Sequence, residues 1–160
     1  MKSKKTVLVG IAILLVAVAI VLTAVLVPMA SNKKGLKKIL NAVADAERIS
    51  LGDPDFETGD LLGNKGKEIL LEGETLAEVK AQIAALQSSG YRQSGEEKRI
   101  AGSFDLHLKI RSAEGTVYYL WLAESGFYYG NGDRAIWYKA EDEGAYAAFY
   151  GQLTTLLQEN

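Results

Sequence analysis

The sequence of 160 residues contains no cysteine, one histidine and two prolines. Without cysteine the chain can form no disulfide, and it has neither a thiolate ligand for a metal nor a thiol nucleophile. The single histidine, His107, excludes any site that requires two imidazoles, such as the zinc helix of a metalloprotease. Gly-x-Ser-x-Gly and phosphate-loop motifs are also missing. These absences predict a protein that is not an enzyme and that binds no cofactor, metal or nucleotide.

Charge is absent from residues 6–30, which are apolar apart from Thr6, Gly10, Thr23 and Pro28. About 20 apolar residues are enough for a helix to cross the hydrocarbon core of a bilayer. A soluble domain of this size does not need a helix that is apolar on every side. The sequence therefore predicts a single transmembrane helix over residues 6–30.

A cleaved signal peptide is the alternative interpretation of this segment. The apolar core of a signal peptide is ~7–15 residues long and leads to a small-x-small cleavage site. Here the apolar run is longer, and cleavage after Ala30 would place Pro28 where a small residue is required. The sequence thus favours a retained signal-anchor.

Lysines flank the apolar segment on both sides, so the positive-inside rule does not decide the orientation. Three lie in a basic tail, residues 1–5, and four lie in or just after a basic joint, residues 31–34. A basic start, an apolar run and then a domain is the layout of a signal-anchor, which predicts a cytoplasmic N-terminus and an extracytoplasmic C-terminal domain at the cell membrane. The lysines after the span either contact anionic headgroups or only extend to the interface at the helix end. These lysines are Lys33, Lys34, Lys37 and Lys38.

Residues 31–160 carry 15 basic and 20 acidic side chains, a net charge of −5. Binding to nucleic acid requires a basic surface that neutralises phosphates. The domain is therefore not expected to bind nucleic acid.

Hydrophobic periodicity in residues 35–160 predicts an α+β domain, with helices before and after an antiparallel β-meander. Apolar residues recur at helical spacing in three segments, at about residues 35–48, 76–88 and 142–158. Two short strands, 48–51 and 68–71, precede the four strands of the meander, at about residues 100–112, 116–123, 127–130 and 133–139. Thr75 and Glu78 form a capping box ahead of the second helix, and Gly90 is expected to end it.

The turns of the meander fix its register, and the register decides which side chains share a face. Ala113–Gly115 and Glu124–Gly126 each suit a three-residue hairpin loop, and Asn131-Gly132 suits a type I′ turn. One face then carries a largely aliphatic set that is expected to be core, namely Leu106, Leu108, Ile110, Tyr118, Leu120 and Leu122. The opposite face mixes aromatic and cationic side chains, namely His107, Lys109, Tyr119, Trp121, Phe127, Tyr129, Arg134 and Ile136.

Two interpretations of this second face are open. Either a helix covers it, most naturally the aromatic C-terminal helix, or it is a surface that binds a ligand or partner. Tyr and Trp offer a large rigid contact area, and nearby Arg or Lys adds cation–π and hydrogen-bonding capacity. The candidate binding residues are His107, Lys109, Tyr119, Trp121, Tyr129 and Arg134.

Other candidate chemistry is weaker. An acidic loop suggests calcium ligands at first sight, namely Asp53, Asp55, Glu57 and Asp60. The EF-hand pattern that would start at Asp53 fails, because Thr58 replaces the required glycine and Asn64 replaces the required glutamate. His107 and Asp105 are about 7 Å apart along a strand, which is too far for a direct hydrogen bond. The loop is a weak metal candidate, and no catalytic residue is predicted.

The sequence favours a membrane protein whose extracytoplasmic domain is a binding or interaction module for a protein, peptide or envelope polymer. Its other expected partner is the lipid bilayer, through residues 6–30. Two alternatives are an envelope hydrolase that uses carboxylates and a regulatory or assembly subunit of a membrane complex that acts through its anchor.

Overall fold

The computed structural model describes residues 4–53, 67–98, 106–131 and 134–159, and for residues 4–10, 12, 96–98, 131 and 134 it describes the backbone alone. The chain divides into two compact units, Met1–Lys34 and Gly35–Asn160. A long apolar N-terminal helix is followed by an antiparallel sheet of seven strands and two further helices. The predicted α+β class is confirmed.

The first helix, α1, spans Lys4–Ala44 and contains the apolar segment. Its large apolar side chains from Ile11 to Met29 are exposed, and Ile13 is 65% exposed. By length and composition this helix is able to cross a membrane. Signal sequences and the core helices of soluble proteins share those two properties. Residues 31–34, which were expected to form a joint, belong to the helix.

The domain is built on one antiparallel sheet of seven strands. The strands are β1 (Ala46–Gly52), β2 (Glu68–Leu71), β3 (Tyr91–Lys98), β4 (Leu106–Ser112), β5 (Val117–Ala123), β6 (Gly126–Asn131) and β7 (Arg134–Ala140). Their order in the sheet is β2-β1-β4-β5-β6-β7-β3. The predicted meander, β4 to β7, is confirmed and forms the centre of the sheet. β1 and β2 extend one edge, and β3 forms the other.

β3 has no counterpart in the sequence prediction. It pairs with β7, starting with Tyr91 opposite Ala140, and its register shifts between Gln93 and Gly95. The strand is polar except for its first residue, so it shows none of the apolar alternation by which half-buried strands are identified. Polar composition and a bulge are typical of edge strands, because they discourage pairing with another chain.

The first hairpin of the meander has the predicted register. The Ser112 N–H donates to the Thr116 carbonyl oxygen at 3.0 Å across the three-residue loop. Leu108 lies opposite Leu120, as predicted. Gly115 adopts a φ of 80° in this loop, a conformation that favours glycine.

The second and third turns differ from the prediction. Ala123 pairs with Gly126, so Glu124 and Ser125 form a two-residue turn instead of the predicted three-residue loop. Asn131 pairs with Arg134 and therefore belongs to the ladder of β6 and β7 rather than to the centre of the turn. Because side chains alternate along a strand, a shift of one residue moves every side chain of β6 to the other face.

One large core lies between the helices and the sheet face that carries Leu108 and Leu120, here called the aliphatic face. Phe127, Tyr129 and Ile136 belong to this core, so their predicted placement on the opposite face is wrong. The second helix, α2, spans Gly73–Ser89 and the third, α3, spans Glu143–Glu159. The helices contribute to this core Leu36, Ile39, Leu40 and Val43 from α1, Val79, Ile83 and Leu86 from α2, and Tyr146, Phe149, Leu153 and Leu157 from α3.

The end of α2 was predicted better than its start. The helix begins at Gly73, and the preceding Glu72 makes no side-chain capping bond. Thr75 therefore lies inside the first turn, and the capping-box prediction is wrong. Gly90 ends the helix with a φ of 97°, as predicted.

Tyr146 joins α3 to the turn between β5 and β6. Its hydroxyl lies 2.7 Å from the Ala123 carbonyl oxygen and 2.6 Å from that of Gly126. A Cβ atom at position 126 would lie 2.5 Å from the Tyr138 carbonyl oxygen. Glycine is required here because the turn and the backbone of β7 approach too closely for any side chain.

Candidate functional site

The sheet face opposite the aliphatic face, here called the aromatic face, carries a cluster of rings. Four of the six predicted binding residues lie together on it, namely His107, Lys109, Tyr119 and Trp121. The ring centroids of His107 and Trp121 are 5.4 Å apart, and those of Tyr119 and Trp121 are 5.9 Å apart with nearly parallel planes. On the next two strands the rings of Tyr128 and Trp137 lie 4.3 Å apart. The predicted pairing of β4 with β5 is confirmed by these contacts.

The ring cluster is a second, smaller core. Trp121 is only 4% exposed, and Tyr128 is completely buried. Tyr119 and Trp137 are half-buried and pack against them. The accessible part of the cluster therefore belongs mainly to Tyr119 and Trp137. A role of these side chains in binding stays a prediction.

The C-terminal helix does not cover the aromatic face. The buried residues of α3 belong to the core on the aliphatic face, and the aromatic cluster is separate from that core. The interpretation in which α3 packs over the aromatic rings is therefore wrong. Helix α3 packs instead on the aliphatic face, which the sequence predicts to be core.

The other two predicted binding residues are not part of this cluster. Tyr129 lies on the aliphatic face and is 6% exposed. Its ring fills the space beside Gly35, where a Cβ atom would lie 2.8 Å from the Tyr129 Cζ. Arg134 pairs with Asn131 in the sheet, and its side chain lies outside the part that the structure describes.

The acidic loop is described only at its first residue, Asp53, while Asp55, Glu57 and Asp60 lie outside the described residues. Among the residues that the structure does describe, no group of three acidic or imidazole side chains is arranged to hold a metal ion. A calcium site in this loop stays a prediction.

His107 is a buried titratable group inside the aromatic cluster, with 1% of its surface exposed. The β1 backbone packs directly against its ring, since a Cβ atom at Gly52 would lie 2.7 Å from the imidazole Nε2. Neither ring nitrogen has a hydrogen-bond partner within the described part of the chain. Burial lowers the pKa of His107, and the charge of Lys109 lowers it further, while Glu68 partly opposes both effects. The imidazole is therefore neutral at pH 7.

This burial predicts an acid-sensitive domain. Because the pKa of His107 is lower in the folded chain than its ordinary value of 6.5, the unfolded state takes up the proton more readily. The free energy of unfolding should be independent of His107 above about pH 6.5 and should fall below it, by up to about 1.4 kcal/mol per pH unit. Urea unfolding of the full chain in detergent, followed by tryptophan fluorescence between pH 7.5 and 5, measures this loss.

A His107→Leu variant is the control, because leucine keeps the position apolar and has no proton to gain. Carboxylates titrate in both proteins, so the difference between the two pH profiles isolates the imidazole. Parallel profiles for the wild type and the variant would contradict the prediction.

A cleft of about 490 Å³ opens at one end of the sheet, beside the C-terminal half of α3. It is lined by Asp53, Lys67, Leu106, Tyr150, Thr154, Leu157 and Gln158. The α3 residues at positions 150, 154, 157 and 158 lie on one side of the helix, because their spacing is three to four residues. Asp53 follows the end of β1 and Lys67 precedes the start of β2, and a hydrogen bond of 2.9 Å from the Asp53 N–H to the Lys67 carbonyl oxygen joins them.

The lining of the cleft combines apolar surface with several kinds of hydrogen-bonding group. Leu106 and Leu157 supply the apolar part. A carboxylate, an ammonium, a phenol, a hydroxyl and an amide surround it. Such a mixture of apolar contact and a few polar groups is typical of sites that bind organic ligands. No local sequence pattern marks this site, because its residues come from three strand ends and one helix.

No protein-family model matches this chain, and no curated protein or solved structure is significantly similar to it. The candidate function therefore rests on the geometry of the chain itself.

Proposed function

We propose that the chain is a single-pass membrane protein, with its N-terminus in the cytoplasm, whose extracytoplasmic domain binds a segment of a protein, peptide or envelope polymer. The cleft beside α3 is the binding site in this proposal. The observation that carries the proposal is the combination of an exposed apolar helix with an open, chemically mixed cleft on the domain.

The apolar helix supports the membrane part of the proposal. Its large apolar side chains between Ile11 and Met29 are exposed on all sides, and a continuous apolar surface of this size is not stable in water. The Thr23 hydroxyl donates to the Ala19 carbonyl oxygen at 2.8 Å. The one hydroxyl in the middle of the segment is thus satisfied within the helix, as the interior of a bilayer requires.

The dimensions of the cleft support the binding part. Ligand sites usually have volumes of about 300–1,000 Å³, and this cleft falls in that range. Asp53 and Lys67 place opposite charges at one wall, which suits a ligand that carries both hydrogen-bond donors and acceptors.

Photo-crosslinking within intact membranes tests the site. A benzoylphenylalanine at Thr154 would face the cleft, whereas the same residue at the adjacent Thr155 would point into solvent from the other side of α3. We expect a discrete crosslinked product from position 154 in the full-length chain, because the photoreactive group would lie within reach of any ligand there. Gel mobility and mass spectrometry of the product measure the effect.

The Thr155 variant is the matched control, since it differs from the test variant by one position. Identical products from both positions would indicate non-specific surface contact. The absence of any product from position 154, with the protein present at its normal level in the membrane, would contradict the cleft as the binding site.

A further inference from the structure

Four lysines within six residues follow the apolar segment of α1, and they form what we call the lysine collar, Lys33, Lys34, Lys37 and Lys38. All four are exposed. All four belong to α1. They are the largest cluster of lysines in the sequence.

Packing of α1 into the core of the domain fixes the orientation of Lys37 and Lys38. Leu36 and Leu40 flank these two lysines in the sequence and are buried on the opposite side of the helix. The Lys38 Nζ lies 5.6 Å from the centroid of the Tyr118 ring, within range of a cation–π interaction. Lys37 and Lys38 therefore extend from a helix that is held by packing and not from a flexible linker.

The charges of the collar are not neutralised within the described part of the chain. The one ion pair there joins Lys109 to Glu68, with 3.6 Å between Nζ and Oε1. The rest of the domain, residues 39–160, carries 11 basic and 20 acidic side chains, a net charge of −9. An anionic surface would thus repel most of the domain and attract the collar.

We propose that the lysine collar binds the phosphate headgroups of anionic lipids in the same bilayer that residues 6–30 cross. This inference rests on the proposed membrane anchor. Lys33 and Lys34 follow the last residue of the apolar segment by three and four positions. In a helix that is an advance of about 4.5–6 Å, which reaches the depth of the headgroups. The collar makes the protein selective for anionic over zwitterionic lipid.

Native mass spectrometry of the purified full-length chain measures this selectivity directly. The chain is released from mixed micelles that contain equal amounts of phosphatidylglycerol and phosphatidylcholine, and the bound lipids are counted. Each lysine near an anionic surface contributes about 1 kcal/mol, or roughly a fivefold preference. We expect a several-fold excess of bound phosphatidylglycerol for the wild type and a ratio near one when all four collar lysines are changed to glutamine.

Two further variants separate the collar from net charge and from folding. Replacing the collar lysines by arginine should keep the preference, because the charge is unchanged. Replacing four exposed basic residues elsewhere, Arg48, Arg92, Arg111 and Lys139, by glutamine removes the same charge from other sites and should also keep it. Unfolding by urea in detergent checks that each variant has a folded domain.

Equal binding of the two lipids by the wild type would overturn the proposal, and so would an undiminished preference in the collar variant. Either result would indicate that the collar lysines only extend to the membrane interface and do not select anionic lipid. Carbonate washing of cell membranes tests the anchor separately. Release of the wild-type chain by carbonate would contradict the proposed anchor, and this inference with it.

Discussion

Replacing Val16 and Ile20 by lysine is expected to move the chain from the membrane pellet to the soluble or degraded fraction. Both side chains are exposed near the middle of the apolar segment. A lysine at the centre of a membrane helix costs about 2.5–3.5 kcal/mol of insertion free energy, so two of them cancel the contribution of many apolar residues. Immunoblots of carbonate-washed membranes measure the change.

Leucine at the same two positions provides the control, because it keeps the segment apolar and should leave the chain in the pellet. The intact mass of the wild-type protein completes the test. A retained anchor predicts a mass that includes residues 1–30, whereas a cleaved signal peptide predicts their loss. A double-lysine variant that stays in the washed membranes would contradict the transmembrane assignment.

The substitution with the largest expected effect on the domain is Gly126→Val. Any Cβ at this position would lie 2.5 Å from the Tyr138 carbonyl oxygen, which belongs to the backbone of β7 and has little freedom to move. The backbone of the turn would have to move away from β7, and this movement would also displace the two carbonyl oxygens that contact the Tyr146 hydroxyl. We expect a loss of about 3 kcal/mol or more in the free energy of unfolding, measured by urea unfolding of the full chain in detergent.

Gly151→Ala is a matched control for this prediction. Gly151 lies inside α3, and a Cβ there would meet nothing within 4 Å. Alanine should therefore stabilise the helix by about 0.5–1 kcal/mol through helix propensity. If the two substitutions had similar effects, the close approach at Gly126 would not be the reason for glycine at that position.

The contrast between the two hairpins shows how far the sequence determines the sheet. In the first hairpin the loop length was predicted correctly, and the pairs His107–Trp121 and Lys109–Tyr119 followed from it. In the second, Gly126 was interpreted as the last residue of a three-residue loop. The sequence shows a glycine but not its reason, which is the carbonyl oxygen of a strand that comes later in the chain.

Other features could not be predicted because they depend on distant parts of the chain. β3 is polar, and it is a strand because β7 offers it a free edge. The helical spacing on both sides of residues 31–34 was recognised, but the continuity of α1 through them was not. The general lesson is that apolar periodicity located the central elements, while the edges were determined by their neighbours.

The ring cluster and the cleft also differ in how far the sequence predicts them. The ring cluster was predictable because it depends on a local hairpin register, although its burial was not. The cleft was not predictable, because no local pattern relates Asp53 and Leu106 to Thr154 on the last helix. The polar residues Thr154 and Gln158 on the side of α3 that carries Leu157 are the only sequence signal for it.

The strand order has a consequence for the synthesis of the protein. β1 pairs with β4, and β3 pairs with β7. On both sides of the sheet, therefore, a strand is synthesised well before the more central strand that it pairs with. The meander, in contrast, joins strands that follow one another directly and can form as soon as it emerges. A nascent chain that ends before Arg134 has no partner strand for β3, and β1 can pair only with β2 until β4 is available. The strand order therefore predicts that the sheet assembles from its centre outward and is complete only once β7 has been made.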